Sequence, residues 1–169
     1  GGEVIAKALA RSSIRDICRP LVIGDARIME LACRVAARSE MRIRSLDPDT
    51  APDAIDFDPA TIPVLDLANF DPRGLEYGKV EAPCGRAAFQ YIETAVRLAV
   101  EGKLHGTVTA PIHKLALNRA GIDLPGHTEI FASLTGTRDY TMMLVEGEFR
   151  VVHVTGHLSL RDALERIKR

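Results

Sequence analysis

Pro20-Leu21-Val22-Ile23-Gly24-Asp25 is a short apolar run ending in turn residues, and the pattern on either side of it decides the fold. Immediately after it, Ile28, Leu31, Ala32, Val35 and Ala36 recur at helical spacing, which predicts an amphipathic helix over 26–38. Met41 to Leu46 reads as a second strand. Asp47 to Ala60, rich in Asp and Pro, reads as a surface loop, and Ile62-Pro63-Val64-Leu65-Asp66-Leu67 as a third strand. Strands alternating with helices predict an α/β fold with a mostly parallel sheet.

Upstream, Val4, Ile5, Ala8 and Leu9 form one apolar helical face. Downstream, residues 69–83 are turn-rich. A helix over 85–100 carries Ala88, Ile92, Ala95, Val96 and Ala99 on one side and stops at Gly102. A strand-like stretch over 107–110 follows, then helices over 112–120 and 128–134. Strands over 141–146 and 150–155, joined at Gly147, predict a hairpin. Ser159-Leu160-Arg161-Asp162 has the form of a capping box, with Asp in the usual Glu position, opening a helix that runs to the end.

The chain of 169 residues suffices for one ordinary domain, and 46% apolar with 27% charged residues is a globular composition. A net charge of -1, with Lys and Arg scattered among acids, gives no electrostatic footprint for nucleic acid. The apolar runs fall short of a membrane span, and no basic-then-apolar leader opens the chain. Cys18, Cys33 and Cys84 are widely spaced without a Cys-x-x-Cys pair, which fits reduced thiols in a cytoplasmic protein. Gly1-Gly2-Glu3 enters a helix with no opening strand, and Arg169 stands inside a helical pattern. The expectation is a portion of a longer protein.

The chemistry concentrates between Thr107 and His157, where polar groups stand at the ends of strands and loops. His127-Thr128, after Pro125-Gly126 and before a helix, brings an imidazole and a hydroxyl to free helix N-terminal amides, a cradle for phosphate or carboxylate. The competing reading makes Thr128 an N-cap and His127 a loop residue, and the two weigh equally. His157, behind Gly156 at the end of a β-branched run, is a candidate ligand for a divalent metal, although a site needs three or more. His153 between two valines reads as a buried histidine. Lys114, at a helix start where the dipole disfavours a cation, reads as solvated or held by an anion. His113 beside it reads as exposed, and Asp25 as a turn residue before a catalytic one. No Gly-x-Gly-x-x-Gly or phosphate-binding loop occurs.

Thr109-Ala110-Pro111-Ile112-His113-Lys114, Ala120-Gly121-Ile122 with Pro125-Gly126-His127-Thr128-Glu129, Met142-Met143-Leu144, and His157-Leu158-Ser159-Leu160-Arg161-Asp162 together resemble the 4-hydroxythreonine-4-phosphate dehydrogenase family of pyridoxal phosphate biosynthesis. The resemblance runs back through Leu65-Asp66-Leu67 and Gly85-Arg86-Ala87-Ala88 to Glu3-Val4-Ile5. It covers nearly the whole chain, residues 1–169, but only the N-terminal half of a family member. It implies a two-lobed α/β/α sandwich like the isocitrate and isopropylmalate dehydrogenases, a homodimer, and NAD (or NADP) with a divalent metal such as Zn, Co or Mg. By the same resemblance His127 and Thr128 bind a phosphorylated hydroxy acid, and His157 is one of three metal histidines. The family oxidises the substrate's secondary alcohol, and the β-keto acid formed loses carbon dioxide. Catalytic and cofactor-binding residues stay unassigned.

Ala110 and His113 stand where the family commonly has Gly and Asn, and Gly156 where it has Thr. These departures leave open a related branch acting on D-threonate or D-erythronate 4-phosphate. Two other readings compete: a non-catalytic lobe that binds a phosphate ligand, and a metal hydrolase using His127, His157 and Glu129. On the first of these the polypeptide as given binds metal weakly and has negligible activity alone.

Overall fold

The computed structural model describes residues 1–38, 40–155 and 158–167. Its first core is a parallel three-stranded sheet in the order β1 (Val22–Gly24), β3 (Thr61–Asp66), β2 (Arg42–Leu46). β3 lies between the other two, with Val22 opposite Val64 and Leu46 opposite Leu65. Alternation along β3 sends Ile62 and Val64 into a cluster with Ala6 and Leu9 of α1 (Gly2–Leu9) and Met29 and Cys33 of α3 (Ala26–Val35). Pro63 and Leu65 are fully buried on the opposite face. α4 (Ala82–Val100), which packs on β1, covers that side. A strand covered on both faces is why 61–66 reads as an almost unbroken apolar run.

α3 stops three residues earlier than its periodicity suggests. Ala37 adopts φ 53°, and the amides of Ala37 and Arg38 bond back to the carbonyls of Arg34 and Cys33. This is a Schellman ending with alanine in the place usually taken by glycine. A short helix α2 (Ser12–Arg15), which periodicity did not mark, brings Arg15 against the sheet. Its guanidinium donates to the carbonyls of Leu9 at 2.9 Å and Thr61 at 3.0 Å, tying α1 to the start of β3.

The second core joins Ile92 and Val96 of α4 to Leu117 of α5 (Lys114–Arg119) and Ile130 of α6 (His127–Thr135). Phe89, Ile112, Ile122, Leu124, Phe131 and Leu134 pack around it. Ile112, turned into this core, precedes the helix rather than opening it; His113 has extended backbone and caps α5 through its carbonyl. The expected strand over 107–110 is absent. Residues 104–113 have no regular structure apart from a bend at His105, and Val108 is wholly exposed. A β-branched run becomes a strand only when a neighbour completes its ladder, and no described strand lies beside this one.

The predicted hairpin is present: β4 (Met143–Glu146) and β5 (Phe149–Val152) pair antiparallel across a Gly147-Glu148 turn, with Gly147 at φ 53°. Met143, Leu144, Val145, Phe149 and Val152 are exposed. α7 (Leu160–Arg166) begins as its capping signal predicts, the Ser159 hydroxyl accepting from the Asp162 amide at 3.2 Å. Among the described residues, no helix is long and apolar enough to cross a membrane.

Candidate active site

Pro125 and Gly126 end the connection from α5, and α6 starts at once. Gly126 is its N-cap, with extended backbone and no side chain to offer. The first intrahelical bond is Ile130 N–H to the Gly126 carbonyl at 3.0 Å. The amides of His127, Thr128 and Glu129 therefore have no intrahelical acceptor. Thr128 is the second residue of the helix and not its cap, so the capping reading of this threonine is overturned. What fixes this open end is the turn that follows it: Ile130 is fully buried, Phe131 and Leu134 enter the second core, and Gly136 in a left-handed conformation closes the helix.

His127 is half-buried. Burial lowers its pKa from the ordinary 6.5, so at neutral pH the ring is uncharged, with one nitrogen donating and one accepting. Its neighbour one turn on is Phe131, with ring centroids 6.3 Å apart and planes inclined by 34°. The Glu129 carboxylate lies on the same end, Oε2 standing 3.4 Å from where a Cβ on Gly126 would be. The arrangement offers a neutral imidazole, a hydroxyl and free amides to an anionic oxygen, with one carboxylate at the edge.

The Thr109–Lys114 block is held from two sides. A Cβ on Gly1 would stand 3.3 Å from the Ala110 methyl and 3.4 Å from the Pro111 oxygen, which puts this block against the start of α1. On the other side α5 packs tightly on α4 at Gly85. His113 and Lys114 are exposed, as their flanking residues suggest. His153 departs from expectation: β5 ends at Val152, no second layer covers the hairpin among the described residues, and the histidine is exposed. His157, the metal candidate, lies outside the described residues. Among the described residues, no group of three or more His, Cys, Asp or Glu is arranged to hold a metal ion. They do not by themselves form a metal cage.

The carboxyl edge of the sheet is occupied by the protein's own groups. Asp25, read from sequence as a turn residue, is 1% exposed and caps α3, accepting from the amides of Arg27 at 3.0 Å and Ile28 at 3.4 Å. Its other oxygen accepts from Arg27 Nη2 at 2.7 Å and the Phe70 amide at 3.4 Å. Burial alone would raise this carboxyl's pKa; the Arg27 guanidinium and the amides outweigh it and hold it below the usual value. Asp66, which sequence reasoning left as the end of a strand, accepts from the amides of Ala26 and Ala68 and from the Ser45 hydroxyl. Tyr91 also escaped notice, since a tyrosine within an apolar helix carries no polar signal. Burial first, and then Asp25 and Asp66, push its phenol pKa upward, so it stays protonated.

The pattern of the family described as pyridoxal phosphate biosynthetic protein PdxA matches residues 16–169. The chain belongs to the PdxA family. It is 46% identical over 168 residues to a D-threonate 4-phosphate dehydrogenase of Cupriavidus necator, covering 99% of this chain and 49% of that protein. It superposes on the crystal structure of a 4-hydroxythreonine-4-phosphate dehydrogenase from Burkholderia phymatum with TM-score 0.88 and 42% identity, covering 99% of this chain and 49% of that one. The corresponding enzyme from Klebsiella pneumoniae gives TM-score 0.86 at 38% identity, over 98% of this chain and 49% of that one. This PdxA-family chain thus has its relatives' α/β fold and spans about half the length of the curated relatives it matches.

Proposed function

We propose that residues 1–169 are the N-terminal portion of a two-lobed, homodimeric, cytoplasmic dehydrogenase that oxidises the secondary alcohol of a phosphorylated hydroxy acid. Hydride passes to NAD (or NADP), the hydroxyl proton is lost, and the β-keto acid formed loses carbon dioxide. D-threonate 4-phosphate is the favoured substrate, because the Cupriavidus necator relative that is 46% identical carries that name. 4-Hydroxy-L-threonine 4-phosphate stands second, on the likeness to enzymes named for it.

One observation carries the binding role of this chain: the side-chain-free cap at Gly126 leaves the start of α6 open beside His127 and Thr128. The neutral imidazole donates to, or accepts from, the substrate, and the Thr128 hydroxyl and helix amides take an anionic oxygen. His157 is proposed as one of several ligands for a divalent metal, which supplies Lewis-acid polarisation of the alcohol oxygen when bound.

NADH production by the full-length protein from D-threonate, D-erythronate and 4-hydroxy-L-threonine 4-phosphates, with divalent metal supplied, tests the proposal. The highest kcat/KM is expected with D-threonate 4-phosphate; no turnover of any of the three defeats it. A second reading concerns the polypeptide of 169 residues by itself: a ligand-binding lobe without activity, which the open start of α6 beside His127 and Thr128 would suit. Inorganic phosphate that shifts the Thr128 amide resonance without added metal supports this reading, and stoichiometric zinc binding by this polypeptide opposes it.

A further inference from the structure

The geometry points to Phe131 as the positioning residue for the His127 imidazole, a role that rests on the reading of His127 as a substrate ligand. The two side chains are four residues apart on α6, so they stack along one face of the helix. Their centroid separation of 6.3 Å and inclination of 34° lie within the range of attractive aromatic pairs.

Phe131 is itself anchored. It packs against the second core and lines an apolar groove with Val96, Ala99 and Val100 of α4, Thr107 and Thr135. None of those groove residues is charged. The nearby chain carries Asp123 and Glu129, yet burial is the single cause acting on His127. A flat ring packed against the second core on one side of the imidazole restricts its rotamers and shields that side from water. Both effects keep the ring neutral and aimed along the open end of α6. A leucine at 131 would fill much of the groove while giving the imidazole no flat surface.

The test is a proton NMR titration of the His127 ring in the full-length protein, assigned by the resonance lost in His127→Gln. In the unaltered chain, His127 is expected to titrate below 6.5 and to show cross-relaxation with the Phe131 ring. Phe131→Leu should move that titration up to the ordinary histidine range, and Phe131→Tyr should restore the low value. Val96→Ala, which loosens the same groove without touching His127, should leave it unmoved. If Phe131→Leu is too unstable to titrate, Phe131→Met replaces it and should move the titration in the same direction. An unchanged His127 titration in a folded Leu or Met variant overturns the assignment, as does an equal shift in Val96→Ala. Because this readout needs neither substrate nor cofactor, it stands or falls apart from the dehydrogenase assay.

Discussion

A Cβ placed on Gly85 would stand 2.0 Å from the carbonyl oxygen of Ala116, so α4 and α5 meet backbone to backbone. This contact fixes α5, and through it the Thr109–Lys114 block and α6, relative to the parallel sheet. Gly85→Ala should therefore destabilise the chain by about 3 kcal/mol, the upper range for overpacking, because backbone cannot swing aside as a side chain does. Urea unfolding followed by circular dichroism reads the loss. An unchanged midpoint would mean that the two helices are not so closely apposed.

Asp25 ties three segments together. Removing its side chain takes away a helix cap and a partner of Arg27, so Asp25→Ala should cost about 2–3 kcal/mol. The pH dependence follows from the lowered carboxyl pKa: the unfolded chain, near the ordinary 3.8, binds the proton more readily than the folded one. The contribution is thus complete above about pH 4 and is lost as pH falls through the folded value. Stability measured between pH 3 and 7 should lose part of its acid slope in Asp25→Ala; an identical slope would remove Asp25 from the account.

Ala37 offers a change in the opposite direction. It is exposed and left-handed at φ 53°, where an L side chain is strained and glycine is not. Ala37→Gly should raise stability by about 0.5–1 kcal/mol, read as a higher urea midpoint with unchanged slope. A lower midpoint would show that Ala37 is not left-handed in solution.

The fold was legible because its signals are local. β1, β2 and β3, the hairpin turn at Gly147 and the cap at Ser159 all follow from the residues that form them. What stayed hidden depends on partners far along the chain. Val108 and its neighbours have strand composition but no described strand to pair with, and His153 has valines on both sides but no layer above it among the described residues. Asp25 looked like a turn residue and Asp66 like part of a strand until Phe70, Ala26 and Ser45 came round to donate to them. The roles proposed for His127, Thr128 and His157 are what the resemblance to the family implies; the residues by themselves left phosphate cradle and plain N-cap evenly matched.

Substitution in the full-length protein separates the proposed roles. Thr128→Ala should raise KM for the phosphorylated substrate about tenfold with kcat little changed, as expected when a hydroxyl binds ground and transition states alike. His157→Ala should lower metal affinity and turnover together. A fall in kcat alone for Thr128→Ala would contradict the binding role, and normal metal affinity in His157→Ala the ligand role.

The account rests on residues 127, 128 and 157 serving one ligand. A crystal structure of the full-length protein with D-threonate 4-phosphate and a divalent metal tests this most directly. The prediction is a substrate oxygen within hydrogen-bond reach of both His127 and Thr128, and the same substrate molecule touching a metal bound by His157. A substrate seated away from the start of α6, or a metal with no ligand at His157, would contradict it.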